Sequence, residues 1–357
     1  MAKVTIDDVE IEVPDGTTIL NAARMIGGDL VPPAMCYYSK LKGSGGKCRT
    51  CLVEVAAGSA KDPRPMPKLM VSCSTPVQEG MVVKNLTSPR VLEARKGVVE
   101  FLLINHPLDC PVCDQAGECD LQNLGYKHGM ANTRYEEERR TFERIDIGDK
   151  IQLHMNRCIL CYRCTYVADQ LTDNRAHGVV NRGDHAEIST YISNVVENEF
   201  CGNMIDVCPV GALTDKTFRF KQRVWFTKPV DAHRNCDKCS GNVTLWYKGD
   251  DVLRVTARKD QNNEVEEFIC NTCRFDKKQT SDWTIDGPTK VKRTSVISQN
   301  HYEQVDLHKL KIDVDRQIRN HAGRKDIGEH YSQAQLNEKE NKEIFESQKQ
   351  LGAYRGK

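Results

Sequence analysis

Apolar residues alternate from the start of the chain. Val4 and Ile6 on one side of Asp7-Asp8, and Val9, Ile11 and Val13 on the other, fall at every second position. That is the period of half-buried strands, so two short strands joined by a tight turn are predicted. A helix is expected from residue 17 to about 26, after Asp15-Gly16, and further strands at 51–55, 69–73 and 81–83, with a proline-rich loop at 62–67 between the first two of these. From Ser88 onward, Val91, Leu92, Ala94, Val98, Val99, Phe101 and Leu102 recur at helical spacing until Asn105-His106-Pro107 stops the pattern. Residues 125–145 are polar and charged and read as a connector. Strands return at 243–247 and 252–255 inside a segment spanning 223–290. Beyond about residue 300 the chain is rich in Lys, Glu, Gln and Asn, a composition that suits either a solvated tail or one docked on a partner.

These elements predict an α+β protein built of successive modules. The expected divisions are a β-grasp ferredoxin-like domain at 1–85, a helical segment at 86–145, a degenerate bacterial-ferredoxin-like module at 146–222, a small β-rich module at 223–299 and a polar tail at 300–357. Apolar residues make up 39% of the chain and aromatics 6%, so its hydrophobic cores are small for its 357 residues and bound metal is expected to help hold them. The net charge of +1, without a basic run, argues against nucleic acid as a partner. No stretch approaches eighteen apolar residues, so membrane association is expected only through partner subunits. The N-terminus enters strand-like alternation without an apolar or Arg/Ser-rich leader, and the mature chain is expected to start there, in a cytosol. In that compartment Cys-x-x-Cys pairs are reserved for metal rather than for disulfides.

Fifteen of the 16 cysteines fall into four groups, and Cys201 alone is left over. In the first, Cys36, Cys48, Cys51 and Cys73, the close pair rides on Lys42-Gly-Ser-Gly-Gly-Lys-Cys-Arg-Thr-Cys51. Glycines there let backbone N–H groups turn toward sulfur, and the spacing resembles a plant-type [2Fe–2S] site with a longer first interval. A phosphate-binding loop is excluded, because Cys48 stands where Ser or Thr would hold magnesium. The second group has three thiols, Cys110, Cys113 and Cys119, and His106 four residues ahead of Cys110 completes a set of four for a [4Fe–4S] cluster. A neutral imidazole in place of a thiolate should raise that cluster's potential. The third, Cys158, Cys161, Cys164 and Cys208-Pro209, reads as a two-cluster ferredoxin that has lost one [4Fe–4S] cluster. The second copy of the motif would need cysteines at 198, 201, 204 and 208 but has Asn198 and Met204, and the first copy's own fourth position is Ala168. Cys201 then reads as a buried remnant. The fourth group, Cys236, Cys239, Cys270 and Cys273, is two Cys-x-x-Cys knuckles that suit either [4Fe–4S] or zinc.

Gly46-Lys-Cys-Arg-Thr-Cys-Leu-Val-Glu-Val55, Asn105-His-Pro-Leu-Asp-Cys-Pro-Val-Cys-Asp-Gln-Ala-Gly-Glu-Cys-Asp-Leu-Gln122, Arg157-Cys-Ile-Leu-Cys-Tyr-Arg-Cys164 and Gly202-Asn-Met-Ile-Asp-Val-Cys-Pro-Val-Gly-Ala-Leu213 closely resemble the 75 kDa-type iron–sulfur (G) subunit family of NADH:quinone oxidoreductase, respiratory complex I. The resemblance covers roughly residues 1–290. It implies one [2Fe–2S] and two [4Fe–4S] clusters on the first three groups, and favours [4Fe–4S] on the fourth. It implies an electron relay in the complex's peripheral arm on the cytoplasmic side of a bacterial inner membrane, carrying electrons from flavin toward quinone, with no catalytic residue or substrate site of its own. No Gly-x-Gly-x-x-Gly fingerprint follows a strand, so NADH and flavin are expected on a partner subunit. Two departures from the family pattern stand out: only a polar tail follows residue 300 in place of the family's molybdopterin-type domain, and Val243 occupies a position where bacterial relatives carry a cysteine, while Cys273 is added after Cys270. The alternative function is the diaphorase-side subunit of a soluble hydrogenase or formate dehydrogenase.

Overall fold

In a computed structural model, residues 1–289 are described apart from 131–132, 144, 173–176 and 192–195. The expected tail lies outside the described residues. β1 (Ala2–Ile6) and β2 (Val9–Val13) pair antiparallel, and the turn between them holds Asp7 and Asp8 at φ of 43° and 70°. Positive φ at both central residues is the primed hairpin turn, whose twist matches that of the strands. The Asp7 carboxylate accepts hydrogen bonds from the backbone N–H groups of Asn85, Leu86 and Thr87, so the turn also anchors the chain as it leaves the sheet. β3 (Leu52–Ala57), β4 (Met70–Val71) and β5 (Met81–Lys84) complete a mixed five-stranded sheet in the order β2-β1-β5-β3-β4, with β1 and β5 parallel. α1 (Ile19–Ile26) is capped by the Thr18 side chain and buries Ile19, Ala22 and Ala23 against Val4, Ile6, Val53 and Val83.

The strand expected at 69–73 shrinks to two residues because Ser74 and Thr75 both turn back to donate to the Val71 carbonyl. α2 (Pro89–Leu103) starts where expected, with Ser88 as N-cap and Pro89 in the first turn. Its inward face is Val91, Arg95 and Val99, whereas Leu92 and Phe101, counted in the apolar pattern, are exposed. The connector expected at 125–145 begins inside α3 (Asp120–His128), which buries Leu121 and Leu124 in a cluster with Val99.

β6 (Ile151–Leu153) pairs antiparallel with β9 (Leu213–Asp215), closing a module that contains α4 (Arg163–Leu171), the hairpin β7 (His177–Val180) and β8 (Glu187–Thr190), and the short helix α5 (Asn203–Val207). β10 (Lys228–His233), β11 (Val243–Lys248), β12 (Asp251–Ala257) and β13 (Thr284–Pro288) form an antiparallel sheet in the order β12-β11-β10-β13. No helix among the described residues is long and apolar enough to cross a membrane.

Arg95 and Arg274 are the largest fully buried side chains among the described residues, and Arg95 sits against the first cysteine loop. The Arg95 guanidinium donates to the Thr50 and Leu52 carbonyls, both at 3.2 Å, and to Asn85 Oδ1 at 2.6 Å. Burial lowers its pKa to about 10, so it stays cationic at neutral pH. Arg95→Leu removes these donors from three acceptor oxygens, of which Asn85 Oδ1 belongs to a fully buried residue. It is expected to destabilise the protein by about 3 kcal/mol, read as a lower urea midpoint for the full chain; an unchanged midpoint would show that the strap is dispensable.

Candidate metal centres

The first cysteine group gathers in the loops that flank β3 and β4. Cys36, Cys48, Cys51 and Cys73 are all buried. The Cys36 thiol interacts with those of Cys48 and Cys73, and Cys51 interacts with Cys73, so the four sulfurs share one site. Backbone N–H groups converge on them: Gly46 donates to Cys73 Sγ at 3.2 Å, and Lys47 and Cys48 donate to Cys36 Sγ at 3.3 and 3.4 Å. The bond with Cys48, followed by that with Cys73, holds the Cys36 thiol far below its ordinary range. Gly45 lies at φ +111°, and a Cβ there would stand 3.2 Å from Cys73 Sγ, so loop and sulfur approach closely only with glycine. A ring of thiols with N–H donors aimed at sulfur fits an anionic binuclear cluster.

The second group sits between the end of α2 and the start of α3. Cys113 and Cys119 are buried, and Cys110 is exposed. Burial, then the Arg157 charge, lowers the His106 pKa to about 4, so its imidazole is neutral and has a lone pair for a metal. Arg139 donates to the His106 carbonyl at 2.9 Å, and Arg223 to the Cys113 carbonyl at 2.7 Å. Arg157 makes a two-pronged bond to Asp109 Oδ2 at 3.0 and 2.8 Å. Three thiols and one neutral imidazole fit the donor set of a four-iron cluster with a single histidine.

Cys158, Cys161, Cys164 and Cys208 line one cavity with Leu153, Ile159, Ile188 and Val210. Leu160 and Tyr162 take left-handed conformations, at φ of 52° and 64°, and so wind the Cys-x2-Cys-x2-Cys loop around the space. Such strain in non-glycine residues persists only where the surroundings enforce it. Burial pushes the Cys161 thiol up to about 12 and raises Cys158, Cys164 and Cys208. An apolar cavity bounded by four thiols fits a cube that delocalises their charge once they ionise. Cys201 lies outside it, fully buried, with its Sγ 3.5 Å from the Val196 carbonyl and accepting from Asn271 Nδ2 at 3.2 Å.

Cys236 and Cys239 precede β11, and Cys270 and Cys273 follow β12. Their four sulfurs lie within 4.8 Å of one another, the one set of three or more candidate ligand atoms that meets this among the described residues. Val243 opens β11 as a buried core residue, and Cys273 supplies the fourth thiol.

The geometry adds residues that the spacing did not reveal. Arg163 is buried between the first and third groups, donating to the Ala34 and Tyr37 carbonyls at 2.9 and 2.8 Å and to the Val207 carbonyl at 3.2 Å. At Gly211, three residues after Cys208, a Cβ would stand 2.1 Å from Cys113 Sγ. The one signal in the sequence was the pair of arginines, Arg157 just ahead of the third group's triplet and Arg163 inside it.

Residues 1–88 match the family model of a 2Fe-2S iron-sulfur cluster binding domain. Residues 95–134 match the iron-sulfur binding region of NADH-ubiquinone oxidoreductase-G, and residues 148–214 the ferredoxin-like domain of NADH-quinone oxidoreductase subunit 3. The chain is 42% identical over 279 residues to the G subunit of NADH-quinone oxidoreductase from Rickettsia bellii, covering 77% of this chain and 38% of that protein. It is 40% identical over 275 residues to the NADH-ubiquinone oxidoreductase 75 kDa subunit of Reclinomonas americana, covering 77% and 38%. A similar match, 40% over 273 residues, is found with the mitochondrial NADH dehydrogenase [ubiquinone] iron-sulfur protein 1 of Solanum tuberosum. The chain thus spans well under half the length of these relatives. Among solved structures, a chain of an NAD+-reducing [NiFe]-hydrogenase in the H2-reduced state superposes with a TM-score of 0.53 at 27% identity, covering 62% of this chain and 91% of that one. Iron-sulfur models along residues 1–214 and some 40% identity over three quarters of its length place the chain in the 75 kDa-type iron–sulfur (G) subunit family of NADH-quinone oxidoreductase.

Proposed function

We propose that this chain is an iron–sulfur electron relay of the peripheral arm of NADH:quinone oxidoreductase, taking electrons from the flavin of a partner subunit and passing them toward quinone. In this reading residues 1–85 form a β-grasp [2Fe–2S] ferredoxin, His106 and its three cysteines hold one [4Fe–4S] cluster, and the ferredoxin-like module at 146–222 holds another. Bound clusters would supply one-electron chemistry, changing iron valence without breaking bonds in a substrate.

The observation that carries the reading is a single apolar cluster. It contains Cys36 and Cys48 of the first group, Cys119 of the second and Cys161 of the third, with Cys158 and Cys208 packed against it. Residues from three ligand sets thus share one water-poor core, which is the arrangement a relay needs for short electron steps. Hydrogen-bonded links tighten it: the Asp120 N–H, next to Cys119, donates to the Pro209 carbonyl, next to Cys208, at 3.1 Å. The Arg163 guanidinium eases ionisation of Cys161 and Cys208 and would favour the reduced, more negative state of a cluster there. The exposed Cys110 is flanked by exposed Leu108 and Val112, an apolar surface suited to a partner subunit.

The hydrogenase superposition keeps a second reading in view, a diaphorase-side subunit of a soluble hydrogenase. The higher identity to the NADH-quinone oxidoreductase relatives favours the first. Affinity capture of the full chain separates the two: membrane subunits of an NADH:quinone oxidoreductase are expected, and a nickel–iron hydrogenase subunit in their place would overturn the assignment.

Stepwise reduction of the cluster-loaded full chain, followed by EPR, is expected to develop one [2Fe–2S] signal and two [4Fe–4S] signals, each reversible. Fewer than three reversible centres would contradict the relay. Gly211→Ala drives a methyl group into Cys113, so the centre held by His106, Cys110, Cys113 and Cys119 should be lost or strongly altered while the [2Fe–2S] signal is retained. Three unaltered spectra in that variant would show that the close approach does not constrain the site.

A further inference from the structure

We infer that Cys236, Cys239, Cys270 and Cys273 hold one tetrahedral zinc ion, a structural centre that takes no part in electron transfer. Sulfur spacing carries the argument. Cys236 Sγ lies 3.8 Å from Cys270 Sγ, and Cys239 Sγ lies 3.7 Å from Cys270 Sγ and 3.8 Å from Cys273 Sγ. Four thiolates bound to one zinc at about 2.3 Å stand about 3.8 Å apart at the edges of a regular tetrahedron. A four-iron cube binds each thiolate on a different iron, so its sulfurs are separated by the whole cube and two iron–sulfur bonds. Sulfurs in mutual contact leave no room for that core. The cavity set Cys158, Cys161, Cys164 and Cys208 provides the internal contrast, because it does not contract in this way.

The surroundings fit a closed, dianionic Zn(Cys)4 site. Backbone N–H groups of Gly241 and Cys273 donate to Cys239 Sγ and Cys270 Sγ, both at 3.4 Å, and Arg234 Nη1 donates to Cys273 Sγ at 3.4 Å. With four protein thiolates the coordination shell is complete, the mark of a structural rather than a catalytic zinc.

Its mechanical task follows from what the second knuckle touches. Asn271 Nδ2 donates to the Asn198 carbonyl at 2.9 Å, and Asn271 Oδ1 accepts from the Gly202 N–H at 3.0 Å. Thr272 N–H donates to Glu199 Oε1 at 2.9 Å, and Arg274 pairs with Asp206 inside the protein. These partners belong to the segment that runs through α5 into Cys208. The ion therefore clamps the turn at 270–274 against the helix that delivers the third group's last thiol. This external staple supports the segment that carries Cys201 and leads into Cys208.

The inference does not depend on the relay reading, and its test reads metal rather than activity. Metal analysis and zinc-edge X-ray absorption on the purified full chain are expected to give one zinc per chain with four sulfur neighbours, unchanged by dithionite. Cys273→Ser should lose that zinc while the [2Fe–2S] EPR signal, whose four thiols belong to a separate ligand set at residues 36–73, is kept. Three results would overturn the assignment: four further irons with four further sulfides and no zinc; one further iron and no zinc; or zinc with a nitrogen and oxygen shell, which marks an adventitious ion.

Discussion

Thiolates brought out of water must be compensated by charge and by hydrogen-bond donors, and this structure meets that demand with guanidinium groups bonded to the backbone of the cysteine loops. Arg95 donates to the carbonyls on either side of Cys51, and Arg163 to those of Ala34 and Tyr37 around Cys36 and of Val207 before Cys208. Arg139 holds the His106 carbonyl, and Arg223 that of Cys113. In the β-rich module Arg258 bonds the Val243 and Ala232 carbonyls and so ties β11 to β10. The first four of these cations fix the shape of a ligand loop, and Arg95 and Arg163 also place positive charge near the sulfurs of Cys51 and of Cys161 and Cys208. Arginine suits both tasks, since it stays charged when buried and its planar fork reaches several oxygens at once.

The same straps join segments that are remote in sequence. Arg163 spans 126 and 129 residues to reach Tyr37 and Ala34, and it stacks over the Tyr38 ring at 5.1 Å. Arg254 reaches Glu118 with two bonds of 2.6 and 2.9 Å, tying the β-rich sheet to the loop between Cys113 and Cys119. Glu264 accepts from Arg24 and from the Ser39 N–H, both at 2.9 Å, and Tyr38 Oη accepts from the Val265 N–H at 2.6 Å. The modules are therefore cross-linked at the loops that carry ligands. A core with so few aromatic residues gains order from these polar ties as well as from apolar burial.

How much could be read in advance depended on whether the determining interaction was local. The hairpin around Asp7-Asp8 and the capped start of α2 at Ser88 rest on neighbours within a few residues, and the local pattern revealed them. Replacement of the thiol missing at Val243 by Cys273 was legible for the same reason, since Cys270 and Cys273 share one turn. α3 was hidden because Asn123 and Gly125 weaken its helical propensity, and burial of Leu121 and Leu124 beside Val99 helps to stabilise it. The inward face of α2 was misread because its central residue is a charge, Arg95, whose partners come from β3 and from Asn85. Gly211 gave no local signal at all: its constraint is the Cys113 sulfur, almost a hundred residues away in the chain.

The central claim is that ligands from three groups share one core and so place their clusters close enough to exchange electrons. It is tested most directly by measuring the electron-spin relaxation of the reduced [2Fe–2S] centre in the full chain, with the neighbouring [4Fe–4S] centres either oxidised or reduced. A shared core predicts that reducing the neighbours speeds relaxation and broadens the binuclear signal. Identical relaxation in both states would mean that the centres are magnetically isolated, and it would contradict the relay.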